Sequence, residues 1–301
     1  MRKPASELES GAIVTGSRRP YVEAVSAYYE ETWKDYRGVW MDTRNRAIHM
    51  GYWDPSTRSH SESLLNMNRL LARSVGLRSG ERVLDAGCGV GGSAMWLAEE
   101  YRARVVGVTL VEDQVRRARR YAAERGLDHL VTFEQQDYLN TGLREGSFDV
   151  VWAQESLCHV PDKQLFFPEA YRLLRPGGRL AVAEYLRAPT PCSAREERLL
   201  DSWFRGWMIP NLLTEEQLVT TAREAGFEAL TLADITPGAR RSMRRLHRVT
   251  VAFYPLVYVL YLLGFRSPVQ HGNIRASRDQ WRALRRGLWS IGLLTARRPM
   301  T

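Results

Sequence analysis

The stretch Glu81 to Gly92, ERVLDAGCGVGG, constrains this chain most, because within a few residues a strand pattern gives way to a glycine-rich bend. Val83 and Leu84 are apolar and suit a strand, Asp85 closes it, and Gly87, Gly89, Gly91 and Gly92 remove side chains where a backbone turns sharply or approaches a ligand. Ser93 to Glu100 then follows helical spacing. Strand, bare loop and helix N-terminus together form a cradle for a nucleotide-type ligand. Gly87, Gly89 and Gly92 match the spacing GxGxxG, but turn glycines look the same, so Asp85 and the rest of the chain must decide.

Around this unit strand and helix patterns alternate. Strands are expected near 82–86, 103–108, 130–135, 148–153 and 178–186, with helices near 92–101, 112–126 and 163–175. Such alternation implies a parallel, doubly wound, Rossmann-like sheet with its site at the carboxyl ends of the strands. Pro176-Gly177-Gly178 reads as a turn before the strand that contains Glu184. Ahead of the sheet, Tyr21, Val22, Val25, Tyr28, Tyr29, Trp33 and Tyr36 make a helical stripe, either plain core or a lid whose hydroxyls reach a closed pocket.

Beyond residue 190 the pattern is mostly helical. A capping box, Thr214 to Gln217, opens a helix to Ala225; Phe227 to Ile235 and Trp289 to Ala296 read as the last strands of a seven-stranded sheet. Between them lies a helical insertion with the apolar run Val249 to Gly264, interrupted by Pro255. The run is shorter than the roughly 20 residues of a spanning helix. It is expected to roof an apolar pocket or pack at a subunit interface, with peripheral membrane contact as the lesser alternative. The expected organisation is a helical lid over 1–77, a cofactor domain over 78–190, and a helical substrate cap with the last strands over 191–301.

Three cysteines without metal spacing, and a leading stretch without an apolar signal core, read as a cytoplasmic protein with no disulfide framework and no metal. The net charge of +9 invites a nucleic-acid reading. Much of the excess lies in Arg240, Arg241, Arg244, Arg245 and Arg248 and again near the C-terminus, where solvated helix faces are the simpler account.

Further motifs resemble one family. The loop is similar to motif I of the class I S-adenosylmethionine-dependent methyltransferases. His49-Met50-Gly51-Tyr52-Trp53 resembles the HxGYW segment, and Glu155-Ser156-Leu157-Cys158-His159-Val160-Pro161-Asp162-Lys163 the ESxxH[MV]PDK segment, of the sterol and tocopherol type of small-molecule C-methyltransferases. Relatives that methylate the prenyl side chain of teleocidin-type indole alkaloids share this character. The resemblance implies S-adenosylmethionine as cofactor, held by Tyr52, Asp85, Gly87, Gly89, Thr109, Leu110, Gln114, Gln136, Asp137, Tyr138 and Gln154. Val108-Thr109-Leu110 departs from the usual ribose-binding acid after the second strand, so Thr109, Leu110 and Gln114 are expected at the ribose and Asp137 at the adenine amino group.

Glu155 and His159 stand four apart, so one helical turn would give them a common face beneath the transferring methyl group. With Tyr21 or Tyr28 from the lid, they are the candidate catalytic residues. The aromatic content, nine tryptophans and 13 tyrosines, suits an apolar prenyl or terpenoid alkene, whose methylation creates a carbocation that ring faces stabilise. The alternative is O- or N-methylation of an aromatic metabolite. No nucleic-acid partner is expected, and an exposed aromatic N-terminal helix suggests a homo-oligomer.

Overall fold

A computed structural model describes residues 19–42 and 44–301, so the polar leading stretch lies outside the described residues. The helix α1 (Arg19–Asp35) runs into a π-turn at Tyr36–Trp40, and α2 (His60–Ser74) leads to the sheet. Then come β1 (Arg82–Ala86), α3 (Gly92–Tyr101), β2 (Arg104–Thr109), α4 (Glu112–Glu124), β3 (Val131–Gln135) and β4 (Phe148–Gln154). They are followed by α5 (Phe166–Leu173), β5 (Leu174–Arg187), α6 (Ala194–Gly206), α7 (Glu215–Glu224) and β6 (Glu228–Asp234). Two insertion helices, α8 (Thr236–Leu262) and α9 (Pro268–Arg285), precede β7 (Trp289–Arg297).

The seven strands lie in the order β3-β2-β1-β4-β5-β7-β6, and β7 alone runs antiparallel to its neighbours. Period-two alternation sends Val83, Val105 and Trp152 to one apolar layer, beneath α2, α3, α6, α8 and α9, and Leu84, Val108 and Val151 to the other, beneath α5 and α7. Both faces are covered, as a parallel sheet requires. The strand order reverses between β1 and β4, where the carboxyl ends diverge and leave a crevice.

Local chemistry sets most element ends. Thr214 forms its capping box with Gln217, and Ser193 and Ser267 cap α6 and α9 in the same way. Pro176-Gly177-Gly178 does not stand outside the strand: β5 begins at Leu174, with Gly177 at φ +73° inside it. The apolar run 249–264 also differs from expectation. It forms the second half of α8 and the corner after it, and its large side chains face outward instead of roofing a pocket; only Thr250, at its start, reaches the crevice.

Candidate active site

The crevice at the sheet's switch point is one continuous cleft, floored by the β1 loop and walled by segments far apart in sequence. The loop needs its glycines for different reasons. Gly87 sits at φ +86°, and a Cβ there would lie 2.3 Å from Ser156 Cβ. At Gly91, φ +82°, a Cβ would lie 2.6 Å from the Phe133 ring; at Gly92 it would strike the carbonyls of Asn45 and Arg46 at 2.6 Å. Gly89, φ +53°, faces open space with Ile48 Cδ1 at 3.4 Å. The loop is thus locked by packing at three glycines and bare toward the cleft at the fourth.

Polar groups converge on that bare stretch. Asp85 is buried, its Oδ2 has no hydrogen-bond partner among the described residues, and burial pushes its carboxyl up to about 7. Gln154, at the end of β4, accepts from Ser93 Oγ at 3.1 Å and leaves its Nε2 unpartnered. At the end of β2, Thr109 Oγ1 donates to Gln114 Oε1 at 2.7 Å, and Leu110 lines the same wall. A buried carboxylate oxygen and amide without partners, next to a loop that a Cβ would fill, fit a ligand carrying an ammonium group, a ribose and a sulfonium.

Beyond the loop, Glu155 terminates β4 at φ +51°, a left-handed conformation that costs a non-glycine residue of order 1 kcal/mol or more. Its carboxyl accepts from the Met50 amide at 2.7 Å and contacts the Tyr185 hydroxyl, which fastens the HxGYW segment to the sheet. Burial pushes Glu155 up to about 8 against those two hydrogen bonds. His159 Nδ1 meets the Met208 carbonyl at 3.3 Å, and its Nε2 meets the Tyr29 hydroxyl at 2.7 Å. A carbonyl only accepts, so Nδ1 carries the proton and Nε2 accepts from Tyr29. Burial, with the Lys163 ammonium nearby, pushes His159 down to about 4, so it is a neutral, weakly basic imidazole.

The left-handed turn at Glu155 and the 3₁₀ turn at Leu157–His159 break the regular helical face expected for Glu155 and His159. Both still line the cleft, with Tyr138 beside them. Other expected residues stand elsewhere. Tyr28 is buried with its hydroxyl on Tyr36 and on Asn273 Oδ1 at 2.9 Å, while its neighbour Tyr29 takes the cleft position. Tyr52 packs its ring on Gly238, where a Cβ would lie 2.1 Å from it. The Gln136 side chain turns to Glu134, Asp137 Oδ1 accepts from the Leu139 amide at 2.9 Å, and the buried Tyr21 hydroxyl has no partner among the described residues; none of the three lines the cleft.

The far half of the cleft is lined by Tyr36 of the lid stripe and Trp207 at the end of α6, together with residues that the sequence did not single out: Trp40 from the π-turn, Tyr185 from β5, and Asn273 and Ser277 from α9. Tyr185 lies near the carboxyl end of β5, directly after Glu184, and that position was the available signal. Asp35 reaches this half too, paired with Arg266 at 2.7 Å.

The comparisons decide what the site belongs to. The Methyltransferase domain family matches residues 84–182, which span the loop through β5. The 27-O-demethylrifamycin SV methyltransferase of Amycolatopsis mediterranei is 36% identical over 197 residues, covering 65% of this chain and 71% of that one. The chain belongs to the S-adenosylmethionine-dependent methyltransferases. Sterol 24-C-methyltransferase of Aspergillus fumigatus is 34% identical over 176 residues, 58% of this methyltransferase and 47% of that one. The crystal structure of the [4+2]-cyclase SpnF superposes with a TM-score of 0.76 at 27% identity, covering 92% of this chain and 96% of that one. The cofactor of this chain is S-adenosylmethionine, and the unpartnered Asp85 Oδ2 and Gln154 Nε2 beside the bare loop are polar atoms that would fit it.

Burial of Glu155 has a consequence for stability. The unfolded carboxyl titrates near 4.5 and the folded one near 8, so the folded enzyme holds the extra proton between those values. Stability then falls as pH rises, because protons leave the unfolded state first. His49 and His159, both pushed down to about 4, act in the opposite sense but only below about pH 6.5. Urea unfolding of the cofactor-free enzyme is therefore expected to show stability declining from about pH 6.5 to about pH 8, with a shallower slope in Glu155→Gln. An unchanged slope in that variant contradicts the protonated carboxyl.

Proposed function

We propose that this enzyme transfers the methyl group to an alkene carbon of a neutral prenylated or terpenoid small molecule. One observation carries the reading: the acceptor half of the cleft offers ring faces and weak proton acceptors, with no strong base among the described residues. Glu155, although burial brings it to about 8, has one oxygen on the Met50 amide and the other on the Tyr185 hydroxyl, so neither is free for a substrate proton; His159 is neutral and feebly basic, and Asp35 is engaged by Arg266. A hydroxyl acceptor with an ordinary pKa calls for a base near the operating pH. A carbocation loses its proton to a weak one.

When bound, S-adenosylmethionine supplies an electrophilic methyl on sulfonium. The chain's own part is to align the alkene, exclude water and disperse charge. As the new carbon–carbon bond forms and the carbon–sulfur bond breaks, positive charge develops on the acceptor's neighbouring carbon. Tyr29, Tyr36, Tyr185 and Trp207 line the chamber around it, and each desolvated ring face is worth about 1–2 kcal/mol to a cation. Loss of the adjacent C–H proton then restores an alkene. The Tyr29 oxygen takes that proton while its own passes to His159 Nε2, along the 2.7 Å hydrogen bond.

The chamber also argues for a neutral acceptor. Among the described residues no lysine lines the cleft, the one arginine there is Arg46, which lies over the Tyr121 ring 4.1 Å away, and no cluster of metal-ligating side chains occurs. A diphosphate headgroup would therefore enter uncompensated. Incubation with neutral prenylated aromatics, free prenyl alcohols and prenyl diphosphates, read by S-adenosylhomocysteine release, is expected to give turnover with neutral alkenes and none with diphosphates. Preferred turnover of a diphosphate contradicts the reading. A second reading, O-methylation, is favoured by the 27-O position in the name of the rifamycin relative, and predicts turnover of saturated alcohols or phenols in the same panel.

A further inference from the structure

We propose that the second half of α8 and the corner joining it to α9 form a docking surface for an anionic lipid bilayer. Ten large hydrophobic residues are exposed among the described residues, and eight of them fall between Val251 and Phe265. Of these eight the most exposed cluster at the tip, Phe265 at 76%, Leu262 at 64% and Leu263 at 63%. Soluble surfaces seldom gather side chains of this size in one patch without a partner.

Charge says which partner. No aspartate or glutamate occurs between Asp234 and Asp279, whereas eight arginines do. Arg244, Arg248, Val251, Tyr258 and Leu262 follow one another at steps of four, three, seven and four, so basic and apolar groups continue one stripe of the same helix. Arg244, Arg248 and Arg275 are exposed and have no carboxylate partner among the described residues. A second copy using this face isologously would bring basic flank against basic flank with no acid on the element to answer it. An anionic bilayer answers both halves, apolar corner in the headgroup boundary and arginines at the phosphates.

The surface lies on the membrane instead of crossing it, since no helix among the described residues is long and apolar enough to span. The same two helices supply Leu246 and Thr250 from the middle of α8 and Asn273, Ile274 and Ser277 from α9 to the cleft, so the docked face and the acceptor chamber share their scaffold.

The test is co-sedimentation of the full chain with vesicles of phosphatidylcholine alone or with about one-third phosphatidylserine, near physiological salt, where each engaged arginine is worth roughly fivefold in binding. Binding to the anionic vesicles only, weakened by added salt and reduced at least about tenfold in the triple variant Leu262→Ser, Leu263→Ser, Phe265→Ser, is the expected result. The exposed corner lies outside the cleft, so the variant's thermal midpoint and its affinity for S-adenosylhomocysteine are expected to match the parent. Absence of binding to anionic vesicles overturns the proposal, as does binding that the variant leaves undiminished. Light scattering that shows a dimer lost in the variant, without vesicle binding, assigns the patch to a second copy and likewise overturns it.

Discussion

Gly89→Leu is expected to lower cofactor affinity about 100-fold or more by calorimetry while shifting the thermal midpoint by only a few degrees. The two effects separate because of what surrounds the position. A Cβ at Gly89 meets only Ile48 Cδ1 at 3.4 Å, so the fold accommodates it, at a left-handed backbone cost of about 1–2 kcal/mol. In a domain of this size that is worth a few degrees. The rest of the leucine side chain occupies the space that the bare loop leaves toward the cleft, and a 100-fold loss corresponds to about 2.7 kcal/mol. Gly87→Ala provides the contrast, since its Cβ would lie 2.3 Å from Ser156 Cβ, and Ser156 Oγ donates to the Ala86 carbonyl at 2.7 Å. That substitution disturbs the fold itself. A folded Gly89→Leu enzyme with parental affinity would contradict the placement of the cofactor over the loop.

The second large effect concerns the proton. His159→Ala is expected to reduce kcat by about 10²–10⁴, the range for loss of a positioned proton acceptor, with cofactor affinity unchanged. Tyr29→Phe removes the hydroxyl that meets the imidazole and is expected to lower kcat in the same direction. Glu155 separates two roles. As a protonated acid it accepts the Met50 amide on one oxygen and meets the Tyr185 hydroxyl with the other, a pattern that glutamine reproduces. Glu155→Gln is therefore expected to retain activity to within about tenfold, and Glu155→Ala to lose more. Single-turnover kinetics at saturating cofactor read both. An inactive Glu155→Gln enzyme with intact fold would make Glu155 an ionised base instead, and an unchanged rate in His159→Ala would remove the imidazole from the chemistry.

Much of the sheet was legible because strand burial is written in alternation. Val83 and Leu84 take opposite faces, and Gly87 to Gly92 mark a place where backbone must turn sharply or come close to a neighbour. The caps were legible too, since Thr214 and Gln217 satisfy each other locally. The acceptor half was not. A helical stripe that contains both Tyr28 and Tyr29 does not say which faces the cleft until α9 packs on α1 and Asn273 takes the Tyr28 hydroxyl. Asn273 and Ser277 sit in a basic amphipathic helix and look like surface residues until that packing exists. The Glu155–His159 spacing suggested a common helical face, but the strand end forces Glu155 into a left-handed turn that fastens Met50. The run 249–264 read as buried because apolar sequence usually is, and no local signal distinguishes burial under protein from exposure to another apolar phase.

The most direct test is the atom that receives the methyl group. With methyl-¹³C cofactor and a turned-over prenylated acceptor, carbon NMR of the product is expected to place the label on a carbon bonded only to carbon and hydrogen. A label resonating as an O-methyl or N-methyl group would contradict the account of a ring-lined chamber built for a carbocation.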